Sequence, residues 1–263
     1  PMPETMDWDV WLMQAASHDY SKRFDEGNWR CWYDFGMGAL GDWGAHLFDT
    51  CHEFLDLGLP TEVGMKKAEG HNDYFFPMAS TINFKFPRRK GKPACEMNWY
   101  DGVNNFPELP SFYGTSEASD VPTVNGQAYV PTSLNPGKVI YSDDLIFKGG
   151  SHSSTLRIIP DEVHREMEAA GKLPGVPEDY HYNHYINFFN AILGEAKAHS
   201  PFEKAGVMCQ VMNLGVIAQR LNTTFRFDRA SGEIIDNPFA NALLTGMPPR
   251  KGREEYYCHL YKT

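Results

Sequence analysis

The sequence predicts a mixed α/β (α+β) domain, in which a largely antiparallel sheet carries helices packed on one face. Three stretches lead to it. TINFKFP (81–87) and ACEMNWYDG (94–102) alternate apolar and polar residues on either side of the basic turn RRKGK, as the arms of an antiparallel hairpin do. Residues 40–57 repeat with the period of a helix, and residues 200–222 contain a second, longer apolar helix. At 263 residues the chain is long enough for one large domain, and nothing in it demands two.

Residues 1–35 are an irregular aromatic lead-in containing Trp8, Trp11, Tyr20, Phe24, Trp29, Trp32, Tyr33 and Phe35. Rings at that density read as packing beneath a loop. The alternative is a wall for stacking a sugar, whose apolar face flat rings match. Glycines at 36, 38 and 41 lead into the helix of residues 40–57. At ~100° per residue, Asp42, His46, Asp49 and Glu53 fall within roughly 60° of one another. Leu40, Trp43, Leu47, Phe48, Cys51, Phe54 and Leu55 occupy the opposite side as a core-facing stripe.

Gly36, Gly38 and Gly41 also spell the G-x-G-x-x-G of a dinucleotide loop, with Asp56 about 20 residues on. That motif requires a buried apolar strand before its first glycine, and NWRCWYDF, with Arg30 and Asp34 in it, is not one.

After Pro60 a strand begins near TEV, followed by the hairpin of 81–102. Ile82, Phe84 and Phe86 are expected on one sheet face and Trp99 on the other, which leaves both faces apolar and calls for cover by a second copy of the chain. Residues 103–137, rich in Pro, Ser, Asn and Gly, read as a long loop or insertion. KVIYSDDLIFKGG (138–150) resumes two short strands at the distal part of the same sheet. IIPDEVHREMEAAG (158–171) is a helix opened by Pro160 and closed by glycine. DYHYNHYINFFNAILGEA (179–196) is another, apolar at Tyr185, Ile186, Phe189, Ile192 and Leu193. The long helix ends at Asn222, and TTFRFD (223–228) and ANALLTG close the fold.

A net charge of −10 and a pI near 5.4 argue against nucleic acid or anionic membrane as a partner. No apolar run approaches the ~18 residues of a membrane helix. Cysteines 31, 51, 95, 209 and 258 are scattered, so neither a disulfide framework nor a structural metal is indicated. His181 and His184 stand three apart without a third ligand nearby, and His52-Glu53 lacks the second histidine of a zinc helix.

WYDFGMGALGDWGAHLFD (32–49), followed by LGLP (57–60), resembles the second domain of the Gfo/Idh/MocA oxidoreductases, in the bacterial branch with a long C-terminal domain. The likeness extends more loosely from PETMDWDVWL to NPFANALLTGMPPRKG. It implies a dihydrodipicolinate-reductase-like C-terminal fold, an NAD or NADP cofactor, a carbohydrate substrate and a homo-oligomer formed through the sheet face. The D-x-x-x-H pair that lines the family's substrate pocket corresponds here to Asp42 and His46.

On that resemblance His46 is the acid–base group and Asp42 orients it or the substrate. Asp49, Arg30, Trp32 and Tyr33 are substrate-binding candidates. The cofactor is expected in a nucleotide-binding domain upstream of Pro1, so this chain alone is expected to be inactive. Either the bacterial cytoplasm or the periplasm fits. Two alternatives stay open: a non-catalytic oligomerisation or scaffold domain, and a redox-assisted glycoside-cleaving enzyme.

Overall fold

Helix α2 (Gly38–Leu55) bears out the helical periodicity to within two residues at each end. In the computed structural model, which describes residues 1–25, 27–113, 123–124, 127–128, 135–152, 155–175 and 183–254, its residues Leu40, Gly44, Phe48 and Cys51 are buried. The buried arc is centred between Gly44 and Phe48, so residues about 100° away emerge at its margin. Trp43 and Phe54, expected in the core, are therefore 37% and 52% exposed. Asp42, His46, Asp49 and Glu53 all face solvent, as the spacing predicts.

The chain forms two compact units: Pro1–Gly44 with Leu57–Asn105 and Gln210–Thr263, and Ala45–Asp56 with Phe106–Cys209. The chain passes from one to the other within α2 and again within the long helix Phe202–Leu221.

The first unit holds a five-stranded sheet built from β1 (Glu62–Glu69), β2 (Ala79–Phe86), β3 (Cys95–Gly102), β9 (Thr224–Asp228) and β10 (Glu233–Ile234). The strands run in the order β10-β9-β1-β2-β3, and every pairing is antiparallel. Short helix α1 (Trp8–Leu12) precedes the sheet, and α6 (Pro238–Leu244) closes the unit. The β2–β3 hairpin lies where the alternation put it.

Its register overturns one expectation. Trp99 pairs with Ile82, so both lie on the same face as Phe84 and Phe86, against the core. The opposite face carries Thr81, Asn83 and Lys85 beside Tyr100, Asn98 and Glu96. It is knitted by Lys85 Nζ to Glu62 Oε1 at 2.7 Å and by Asn83 Nδ2 to Glu96 Oε2 at 2.9 Å. A residue on one strand faces the same way as its direct partner, so the second apolar face does not exist.

On the core face, the first part of α2 and the last part of the long helix, which belong to this unit, approach each other closely. A Cβ on Gly215 would lie 2.5 Å from Leu40 Cδ2 and 2.7 Å from Phe84 Cζ, and one on Gly44 would lie 2.6 Å from Met212 Sδ. Alongside, Asp101 Oδ1 accepts from Ser80 N and Oγ at 2.8 and 2.7 Å, Trp99 Nε1 donates to Asp101 Oδ2 at 2.7 Å, and Gln219 Nε2 donates to Ser80 Oγ at 2.6 Å. Buried Ser80 and the amide nitrogen of buried Gln219 thereby find partners in a network that ties sheet to helix, while Gln219 Oε1 is left without one.

The aromatic lead-in packs mainly against itself. Trp8 stacks on Trp11 with centroids 4.6 Å apart, and Phe24 meets Trp32 and Phe35 edge-on at 4.9 and 5.0 Å. Tyr33 is buried against Phe76, its ring 4.4 Å away, with the Arg220 guanidinium 5.3 Å above it. Asp9 holds Arg250 and Arg253, which joins this segment to the end of the unit and lowers the Asp9 pKa, chiefly through the Arg250 hydrogen bond.

In the second unit β6 (Gly137–Tyr141), β7 (Ile146–Gly150) and β8 (Arg157–Ile159) form a separate antiparallel sheet in the order β6-β7-β8. These strands were expected to extend the first sheet. The unforeseen β8 pairs with β7 instead, through residues Ile158 and Ile159 that the sequence reading assigned to the following helix. Within the expected loop 103–137, β4 (Thr123–Val124) and β5 (Gln127–Ala128) pair with each other. Residues 114–122, 125–126 and 129–134 of that loop lie outside the described residues.

Helix α3 (Asp161–Ala169) follows β8 and starts after Pro160 as predicted. Helix α4 (His184–Ile192) begins at the N-cap Asn183, while residues 179–182 of the expected helix, His181 included, lie outside the description. Tyr185, Ile186, Phe189, Ile192 and Leu193, expected to be its buried face, are all more than half exposed. The long helix is α5 (Phe202–Leu221). Both α2 and α5 end on a left-handed residue, Asp56 (φ 52°) and Asn222 (φ 44°).

Two outcomes follow from this packing. Gly215→Ala gains about 1 kcal/mol of helix propensity, but forcing a methyl between two buried side chains costs about 1–3 kcal/mol. Chemical denaturation should show a net loss of stability, and a smaller one for Gly44→Ala, because the flexible Met212 side chain can yield. A stabilised Gly215→Ala would refute the close contact.

The second concerns Tyr33, whose pKa burial pushes up to about 12. The ordinary phenol value is ~10, so the folded state holds this proton more tightly than the unfolded chain. Its contribution is complete below pH ~10 and is lost as the pH rises from there to about 12. Denaturation midpoints between those values should fall more steeply for the parent chain than for Tyr33→Phe. Parallel curves would show that the phenol is not the cause.

Candidate functional site

The polar edge of α2 presents Asp42, His46, Asp49 and Glu53 to solvent over three turns. Side chains four apart on a helix have Cβ atoms ~5–6 Å apart, so Asp42 and His46 are neighbours on that edge. The backbone entering the helix is tightly held. A Cβ on Gly36 would lie 2.5 Å from the Arg30 Cα, and Gly38, at φ 62°, lies against the Phe76 ring, where a Cβ would come within 2.6 Å. These glycines serve packing, and Trp32 before them forms only an isolated bridge to Phe75. The loop is not the first βα turn of a sheet and offers no cradle for a pyrophosphate.

Packing of Gly36 on Arg30 also delivers the guanidinium to Asp42. Arg30 Nε donates to Asp42 Oδ1 at 3.1 Å, with the two side chains 44% and 46% exposed. Arg30 also lies over the Trp29 ring, 4.7 Å from its centroid. The Asp42 carboxylate thus belongs to an open ion pair accessible to a ligand, not to a buried structural one.

Trp32 and Tyr33 lie elsewhere. Trp32 donates its Nε1–H to the Arg23 carbonyl at 3.3 Å and meets Phe24 and Phe75 edge-on. Tyr33 donates its hydroxyl to the Gln219 carbonyl at 3.5 Å within the core. Of the four substrate-binding candidates, Arg30 joins Asp42, Asp49 shares the α2 edge, and the two aromatic residues are packed into the lead-in and the core.

Within the second unit, to which His46 belongs, its surroundings include residues that the sequence reading did not single out. The His152 ring lies 4.4 Å from the His46 ring at an interplanar angle of 39°. Ser151 Oγ is 2.8 Å from His152 Nδ1. Lys138, 7% exposed, donates its ammonium to Thr50 Oγ1 at 3.0 Å and to the His46 carbonyl at 3.4 Å. One turn further along α2, Glu53 pairs with Lys204. The only sequence signal for His152 is a histidine set in a Gly-Gly-Ser-His run directly after a strand. A lysine opening an apolar strand gives less still.

His52 of the near-zinc motif is buried while Glu53 is exposed, so the two do not face a common point. Among the described residues no group of three or more His, Cys, Asp or Glu side chains could hold a metal ion. Nor is any described helix long and apolar enough to cross a membrane.

What the edge offers chemically is an imidazole flanked by carboxylates one turn to either side, with a guanidinium at one end. Such a set can accept a hydroxyl proton and hydrogen-bond a polyhydroxylated ligand. No curated protein matches the chain. Residues 1–86 match the family model described as the oxidoreductase family, C-terminal alpha/beta domain. That span contains the whole of α2, the Arg30–Asp42 pair and the first two strands of the sheet. Over this span the protein is similar to the C-terminal alpha/beta domain of the Gfo/Idh/MocA oxidoreductases.

Proposed function

We propose that the chain is the substrate-binding and acid–base part of an NAD(P)-dependent oxidoreductase acting on a hydroxyl of a sugar, polyol or glycoside. The observation that carries this is the exposed Asp42–His46 edge, on the segment that matches the oxidoreductase family. Oxidation of a carbinol requires a base for the hydroxyl proton, and histidine, with a reference pKa of ~6.5, suits that task near neutral pH. His46 takes the proton. Asp42, anchored by Arg30, orients the imidazole or an adjacent hydroxyl, and Asp49 extends the polar edge toward the rest of the ligand.

The nicotinamide cofactor supplies the hydride acceptor when bound. Gly36 and Gly38 are occupied by packing and give its pyrophosphate no cradle.

A scaffold role would need no acid–base groups in the open, and it would place Asp42 in a buried pair. The 46% exposure of the Asp42 side chain weighs against that alternative. In the intact enzyme His46→Ala should lower turnover by ~10²–10⁴-fold, the usual worth of a general acid–base group, with folding and cofactor affinity kept. Asp42→Asn should lose less, because shape is retained. A fully active His46→Ala enzyme with an unchanged pH–rate profile would reduce the edge to a solvated helix face.

A further inference from the structure

We propose that His152 is a positioning residue for His46, held by Ser151, with Lys138 anchoring the turn of α2 beneath; the catalytic part of this rests on the function proposed above. His46 is exposed, and proton transfer requires its imidazole in one orientation. A misplacement of about 1 Å in a reacting group costs on the order of 10²-fold in rate. Something must hold the ring.

The β6–β7 hairpin supplies it from one end. Its register pairs Lys138 with Gly149 and Gly137 with Gly150. Lys138 therefore lies beside the strand end that continues directly into Ser151 and His152. Gly149 is required there, since a Cβ on it would lie 2.9 Å from Leu156 Cδ2, 3.1 Å from the Thr155 carbonyl and 3.4 Å from Lys138 Cε. With the glycine in place the Lys138 stem can lie across the strand and reach α2.

The hairpin grips both parts of His46. Its backbone is held through the carbonyl, which accepts from Lys138 Nζ at 3.4 Å, while Thr50 one turn on accepts at 3.0 Å. Lys138 is 7% exposed as a residue, and a buried cation needs acceptors to replace its water, so this link resists opening. The ring is held by the tilted stack on His152 at 4.4 Å. The 2.8 Å contact between Ser151 Oγ and His152 Nδ1 fixes how the second imidazole is turned. A neighbouring hydrogen bond also selects which ring nitrogen carries the proton.

The test uses the 263-residue chain labelled in its histidine rings, with long-range ¹H–¹⁵N spectra reporting the tautomer and line shape of His46. In His152→Ala the single set of His46 ring signals should shift and broaden, with backbone amide signals of the two sheets unchanged. His152→Phe, which keeps a flat ring but no nitrogen, should restore the sharp set. Identical His46 signals in parent and His152→Ala would overturn the proposal.

In the intact enzyme His152→Ala should lower kcat by roughly 10–100-fold with KM unchanged, and His152→Phe should recover most of it. Unchanged kcat in an active His152→Ala enzyme would likewise overturn the proposal. An enzyme that oxidises no carbinol would instead overturn the function proposed above, and the ring spectra would still decide whether His152 positions His46.

Discussion

The contact between Leu40 and Gly215, backed by Phe84 of the sheet, fixes how α2 lies in the first unit. Leu40 is fully buried, and the missing side chain at 215 is the space that its δ-methyl needs. Gly44, one turn on, makes the same allowance for Met212. With 40, 44, 48 and 51 turned inward, the helical repeat leaves 42, 46, 49 and 53 no orientation but outward. The open polar edge follows from the packing on the other side of the helix.

The same economy shapes the approach to the edge. Gly36 allows the backbone to touch Arg30, which places the guanidinium on Asp42, and Gly38 allows it to touch Phe76. The aromatic residues of the lead-in thus make the platform that holds Arg30, with Trp29 beneath its guanidinium. Exposure keeps the Arg30–Asp42 pair weak as a stabilising contact, and that leaves its groups able to exchange one another for a ligand hydroxyl.

Much of this was legible in the residues. The bounds of α2, the β2–β3 hairpin, α3 and α5 follow from period and punctuation, because each buries one face or stripe against its own unit. The polar edge was legible for the same reason. Legibility failed where the partner lies far along the chain. Tyr33 stands in the sequence among both the packing rings and the substrate-binding candidates, and only Phe76 and Arg220 show it to be core.

Trp99 alternates correctly within β3, but its face is decided by the pairing with Ile82. The separate β6–β8 sheet hinged on Ile158 and Ile159, two residues too few to announce a strand. Apolar spacing in α4 predicts burial, yet its side chains are exposed, since periodicity reports a face without reporting its cover. His152 escaped notice because a lone histidine after a strand carries no pattern; it acquires meaning only beside His46.

The central claim is that the α2 edge meets a polyhydroxylated ligand. Chemical-shift mapping of the labelled chain against aldoses, polyols and methyl glycosides tests it without depending on turnover. The account expects perturbed backbone and ring signals to cluster on Asp42, His46 and Asp49, with the Arg30 side chain responding alongside. Perturbations confined to residues away from α2, or none at α2 with any carbinol, would contradict it.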